Sequence, residues 1–232
     1  MADRKTQSER DFELFCKARG WKADKLPTRV GQQTPDYRVT TDSGRVFIAE
    51  VTESDQEFVP PPPPDIVLEP STNREPNIVV QSDGDRRGRL VGNKISSKKD
   101  QVQALGTNDP TVIVVFAKDL TAIIHMDEDE MDHRLNGSHQ VVVDRKSNQG
   151  VLRNGDDGLF AKNEYQGVSA VATLYQTQDQ HGIPLRLKFF HNSRATTPLS
   201  PHHVRGSFVE HYVKDPDGVG WIDPFGAQND DG

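Results

Sequence analysis

Two acids stand where a β-rich stretch has little ordinary use for them. In "TPDYRVTTDSGRVFIAEVTES", residues 34–54, Asp36 opens one run of strand-forming residues, and Glu50 follows Val46, Phe47, Ile48 and Ala49 near the end of the next. They are fourteen positions apart, and a hairpin brings both carboxylates to one end of a sheet. Converging carboxylates hold a hard divalent cation such as Mg2+ (or Mn2+), which keeps several waters and takes a substrate phosphate. Such an ion polarises a phosphoryl oxygen and lowers the pKa of an attacking water. A carboxylate buried beside apolar residues is costly without a cation or donors, so the pattern asks for a positive partner. Further along, Lys94, Lys98 and Gln101 recur at i, i+4 and i+7 and share one helix face. Turned toward the acids, that face lets Lys98 stabilise charge on a scissile phosphate and lets Gln101 position a water. The plainer alternative for the same residues is a solvated face.

The elements that must do this positioning are legible. Residues 36–41 and 45–52 are rich in Val, Thr, Tyr, Phe and Ile around the turn signal "TDSG", which predicts a β-hairpin. Residues 8–19 space Phe12, Phe15, Cys16 and Arg19 as a helix, with Ser8 as N-cap, Gly20 as the stop, and Glu9 and Glu13 on its other face. Between Arg89 and Leu105 the helical period returns through Leu90, Ile95, Val102 and Leu105, and Gly106 ends it. "TVIVVFA", 111–117, is a β-branched run typical of a strand covered on both faces. Strand, crossover helix and buried strand imply an α/β fold.

The stretch 54–88, with prolines at every position from Pro60 to Pro64, reads as a loop or lid. "MDEDEMDHRL" predicts a short acidic helix, solvated along Asp127 to Asp132; "QVVVD", "GVSAVATLYQ" and "LRLKFFHN" predict further strands. The Gly- and Asp-rich tail from Asp215 reads as peripheral. No internal repeat or linker divides the chain, so residues 1–232 are expected to form a single domain.

Composition narrows the classes. Charged residues make up 27 % and the net charge is −7, which argues against a protein that coats nucleic acid through a global positive field. A local site is compatible: Arg86, Arg87, Arg89, Lys94, Lys98 and Lys99 form a basic stretch without an acid, suited to a nucleic-acid backbone or to a solvated helix face. No apolar run reaches the roughly 18–20 residues of a membrane span, and the N-terminal residues lack a signal-like apolar core, so a cytoplasmic location is expected. Cys16, the single cysteine, lies among apolar helix residues and has no internal partner.

"PDY", a hairpin turn, "AEVTE", a helix with Lys and Gln on one face, and then "TVIVVF" together resemble the PD-(D/E)XK phosphodiesterase superfamily, the restriction-endonuclease-like fold. The resemblance covers about residues 9–117. It implies a mixed central β-sheet flanked by helices, one or two Mg2+ ions, and hydrolysis of nucleic acid, DNA in preference to RNA. It further implies metal binding by Asp36, Glu50 and the carbonyl of Val51, with Glu13 preferred as an added acid from the first helix. The family's Glu-x-Lys is departed from, since Thr52 stands at the lysine position. Some members supply that lysine from the following helix, and Lys98 followed by Gln101 is similar to that arrangement. The later segments "GLFAKNEYQGVSAVATLY" and "FFHNSRATTPL" also resemble uncharacterised bacterial relatives of this fold.

Two further expectations compete with a nuclease. A degenerate nuclease-like domain would bind nucleic acid or a partner protein without cutting, and a subunit of a defence or mobile-element system would need its partner. A homodimer is left open. Elsewhere, His202 and His203 are read as neighbours on opposite strand faces, and His191 and Asn192 as a strand end placed either to reach a substrate or, the preferred reading, to serve as a structural cap.

Overall fold

Alternation along the strands divides the core into two layers with a sheet between them. The computed structural model describes residues 5–27, 34–54, 89–104, 106–118, 122–123, 126–144, 149–177 and 185–226. The proline-rich stretch 55–88, with Arg86 and Arg87, lies outside the described residues, as does the side chain of Arg89. The elements are α1 (Gln7–Ala18), β1 (Lys22–Lys25), β2 (Tyr37–Thr40), β3 (Val46–Glu53), α2 (Arg89–Gln103), β4 (Thr111–Ala117) and α3 (Glu128–Leu135). They continue as β5 (His139–Asp144), β6 (Gln149–Asn154), β7 (Ala170–Gln176), β8 (Leu185–His191), β9 (Val209–Lys214) and β10 (Trp221–Ile222).

Eight strands form one mixed sheet in the order β1-β2-β3-β4-β7-β8-β9-β10, and β5 pairs with β6 in a separate ribbon. β3, β4 and β7 run parallel; β2 joins β3 antiparallel, as the hairpin pattern predicts. The fold is therefore α/β around a large mixed sheet. One face packs Phe47, Ala49, Val51, Val112, Val114 and Phe189 against Phe12 and Phe15 of α1. The other packs Ile113, Val115 and Val171 against Ile95 and Val102 of α2 and Met131 and Leu135 of α3. β4 is buried on both faces, which explains its unbroken apolar sequence. Fully burying each such side chain contributes on the order of 1.5–3 kcal/mol.

Local chemistry fixes the ends. α1 is capped by Thr6, not Ser8: the Thr6 side chain accepts from the Glu9 N–H while Glu9 Oε2 accepts from the Thr6 N–H. This Thr-x-x-Glu capping box satisfies two donors at once, more than a Ser8 cap would. Gly20 and Gly44, at φ +72° and +75°, supply the left-handed positions that end α1 and turn the β2–β3 hairpin. The tail from Asp215 is less detached than its composition suggests, because β10 pairs with β9 and Trp221 packs against the second core layer. Among the described residues, no helix is long and apolar enough to cross a membrane.

Candidate functional site

The hairpin register brings the two acids together. Tyr37 pairs with Ala49 and turns its ring to the α1 face, where it meets Phe12 at 5.5 Å. Strand alternation sends the preceding residue, Asp36, to the opposite face, beside Glu50 and under α2. Asp36 Oδ2 accepts a hydrogen bond from the Val51 N–H at 2.8 Å, which fixes its carboxylate at the edge of β3. Glu50 lies opposite Ile113 of β4, in the layer that α2 covers.

From α2, Lys98 Nζ donates to Glu50 Oε1 at 2.7 Å and to Gln101 Oε1 at 3.1 Å; Gln101 Nε2 in turn donates to the Thr34 carbonyl at 3.1 Å. Thus the i, i+3 pair on α2 spans from the entry of β2 to the end of β3. Thr52 is buried and brings no charge of its own, so the cation beside Glu50 comes from the helix.

The electrostatics are those of a buried acid beside a half-buried one. Glu50 is 1 % exposed, and its Oε2 has no hydrogen-bond partner among the described residues. Burial, then the Asp36 charge, push its carboxyl up to about 7 against the pull of Lys98. Burial likewise raises Asp36; the Val51 N–H opposes this, Glu9 adds to it, and Lys98 and Lys25 oppose it.

The acid of α1 that acts on Asp36 is Glu9, one turn before the Glu13 singled out in the sequence. Glu13 instead pairs with Lys5 at 2.6 Å and accepts from the Tyr37 hydroxyl at 3.0 Å. Partners separate the two: the Tyr37 hydroxyl and Lys5 take Glu13, while Lys25 of β1 takes Glu9. Glu9 is held by Lys25 Nζ at 2.7 Å. Burial raises its carboxyl, but the Lys25 and Thr6 donors outweigh that and hold it below the usual range.

Among the described residues, no three His, Cys, Asp or Glu side chains converge as a ready-made metal cage. The fit to a cation rests on Asp36 and Glu50 and on the unclaimed lone pairs of the buried Glu50 Oε2. Two carboxylates, with water and substrate oxygens completing the shell, suit Mg2+ or Mn2+ better than a softer metal.

The remaining candidates fall elsewhere. Lys94 lies one turn before Lys98 and is half-buried. The acidic run of α3 is not uniformly solvated: Asp127 caps the helix, and Asp132 is buried. Asn192 is structural, its side-chain amide donating to the carbonyls of Tyr165 and Val168. His202 and His203 occupy a 3-10 turn, Pro201–His203, not a strand, since Pro201 starts a tight turn there. Cys16 is buried, which pushes its thiol well above the ordinary range and makes it inert. Sequence reasoning missed Lys25, the partner of Glu9; "KADK" has too little apolar character to announce an edge strand.

Set against known proteins, the chain matches no family model, no curated protein and no solved structure.

Proposed function

We propose that this chain is a metal-dependent nuclease of the PD-(D/E)XK type, hydrolysing phosphodiester bonds of nucleic acid, DNA in preference to RNA. The observation that carries the reading is the Lys98–Glu50 contact of 2.7 Å beside Asp36, with Glu50 Oε2 buried and unpartnered among the described residues. It fits a lysine relocated from position 52 to α2. In this reading Asp36 and Glu50, with the Val51 carbonyl, hold Mg2+ or Mn2+, and the bound ion supplies Lewis acidity and a more acidic water. Lys98 holds positive charge where a phosphate gains negative charge. Gln101, tethered to the Thr34 carbonyl, orients Lys98 through its side-chain oxygen and keeps its amide at the mouth of the site. Glu50 must give up its proton to serve, so metal binding and activity should strengthen as pH rises through about 7. The basic stretch Arg86, Arg87, Arg89 and Lys94 supplies backbone contacts that position without specifying sequence.

The test is purified protein with labelled single- and double-stranded DNA and RNA, in Mg2+, in Mn2+ and in chelator. Cleavage that needs the metal and disappears in Asp36→Ala and Glu50→Ala supports the reading; cleavage that persists in both variants sinks it. A second reading, a nuclease-like domain that binds nucleic acid or a partner protein without cutting, is favoured by the number of acids: two side chains, and no third among the described residues. It predicts no cleavage in any metal, with binding that weakens in Lys98→Ala and falls steeply with salt.

A further inference from the structure

At the opposite edge of the sheet, β8 and β9 carry a constellation that the proposed nuclease leaves unused. His191 Nδ1 faces the Leu199 carbonyl at 3.0 Å and must donate, so its Nε2 is an acceptor. That nitrogen lies 2.9 Å from His211 Nδ1, which therefore carries the proton. These tautomers are assigned from the acceptors around them. They leave His211 Nε2 as a bare lone pair, with no partner among the described residues, on a side chain 4 % exposed. Burial drives His191 down to about 4, and burial and His191 drive His211 down to about 3 against the nearby Val204 carbonyl, with Arg205 and His202 adding to the fall, so both rings are neutral at pH 7. A stranded buried acceptor is costly, and a ligand N–H would recover that cost.

His211 lines a cavity of about 460 Å³ together with Arg205, Phe208, Tyr212, Asp223 and Phe225. That is within the range of about 300–1,000 Å³ typical of small-molecule sites. The Arg205 guanidinium lies 3.6 Å from the Phe225 ring centroid, and the Phe225 ring meets His211 edge-on at 5.6 Å. Arg205 is exposed and has no ion pair among the described residues, whereas Glu210 is engaged by Arg186 and Tyr212. Phe208, at φ +64°, has the Arg19 and Arg186 guanidiniums 5.0 and 5.4 Å from its ring centroid. A phenylalanine in that region is strained, so this wall is set by its surroundings. Asp223 uses Oδ1 on the Phe225 N–H, leaving Oδ2 for a hydroxyl.

We propose that this cavity binds a nucleotide: its flat base lies along the Phe208 and Phe225 walls and donates an N–H to His211 Nε2, its phosphate meets Arg205, and a sugar hydroxyl donates to Asp223. Aromatic walls favour a planar heterocycle and the guanidinium favours its phosphate. The site stands apart from Asp36 and Glu50 and does not depend on their chemistry.

Isothermal titration of the full chain at pH 7 with 5′-AMP, adenosine, ribose 5-phosphate and inorganic phosphate tests it. Binding of 5′-AMP is expected, with adenosine and ribose 5-phosphate each about tenfold weaker or more. Arg205→Gln should weaken 5′-AMP by about tenfold and leave adenosine unchanged; His211→Phe, which keeps the ring on Phe189, should weaken 5′-AMP and adenosine alike by a similar factor. Glu50→Gln should leave 5′-AMP binding intact, separating this site from the carboxylate pair. No binding of 5′-AMP below about 10 mM, inorganic phosphate binding as tightly as 5′-AMP, or a 5′-AMP affinity unmoved by Arg205→Gln would each overturn the proposal. Because Arg205 is exposed, that variant carries the test even if His211→Phe fails to fold.

Discussion

Glu50 and Asp132 are both acids with 1 % exposure, one on β3 under α2 and the other on α3 itself, yet the protein treats them differently. Asp132 Oδ1 accepts from Asn136 Nδ2 at 2.6 Å, and Oδ2 meets His139 Nε2 at 2.5 Å and Asn154 Nδ2 at 3.3 Å. Those partners tie α3 to the β5–β6 ribbon, so every bond of Asp132 holds structure. Glu50 has Lys98 on one oxygen, no fixed donor among the described residues on the other, and the Asp36 carboxyl within hydrogen-bonding reach. Burial alone therefore does not distinguish a site from a scaffold; the unfilled valence does. Evolution can complete a buried acid with neutral donors, as around Asp132, or leave it incomplete where something else must bind.

The comparison breaks most visibly by substitution. Glu50→Gln should lower metal-dependent cleavage by about 10²–10³-fold or more, the scale of losing a preorganised electrostatic group. At pH 5, where Glu50 holds its proton, the same change should move the urea midpoint little, because it replaces one neutral side chain with another. Asp132→Ala should do the reverse. It strands the Asn136, His139 and Asn154 groups and should cost about 3–4 kcal/mol in urea unfolding, with cleavage per folded molecule unchanged. Cleavage loss in Asp132→Ala at fully folded protein, or a large stability loss in Glu50→Gln, would erase the distinction between the two acids.

Acidity sharpens the contrast. The folded Glu50 pKa, about 7, lies above its ordinary 4.5. Between those values the native state holds a proton that the unfolded chain has released. Stability from this group is complete below about pH 4.5 and is lost as pH rises through about 7, by roughly 3 kcal/mol in metal-free buffer. Denaturant titrations at several pH values should show this slope in the wild type and its absence in Glu50→Gln. An equal slope in both proteins would mean that Glu50 is not the titrating group.

Much of the frame could be read from the chain because strong periodicities met strong punctuation. β4 is apolar at every position, Lys98 and Gln101 share a helical face, and Gly44 closes the hairpin that aligns Asp36 with Glu50. What escaped reading was set by tertiary partners. Glu9 and Glu13 are equivalent by spacing on α1; the choice between them was made by Tyr37 and Lys25, which take hold from β2 and β1. Asp132 looks like its acidic neighbours until Asn136, His139 and Asn154 close over it. The strand "VEHYVK" is too polar to stand out, yet β9 brings His211 beside His191 and creates a cavity that no local pattern foretells.

The smallest effect is the most specific one. If the open valence of Glu50 exists for a cation, Mg2+ must stabilise the fold by mass action, since it binds the native site and not the unfolded chain. At pH 8 and ten times its Kd the gain is about 1.4 kcal/mol, a few degrees in Tm for a chain of this length. At pH 6 Glu50 holds its proton, the ion must displace it, and the apparent affinity falls about tenfold, which reduces the gain at the same Mg2+ concentration to about 0.4 kcal/mol. Glu50→Gln should show no increment at either pH, while Asp132→Asn, though less stable, should keep the full wild-type increment. Scanning calorimetry at matched ionic strength separates these outcomes from general salt effects. A pH-independent increment, or one that Glu50→Gln retains, would assign the cation to some other acid and leave the Lys98–Glu50 pair as a finished ion pair.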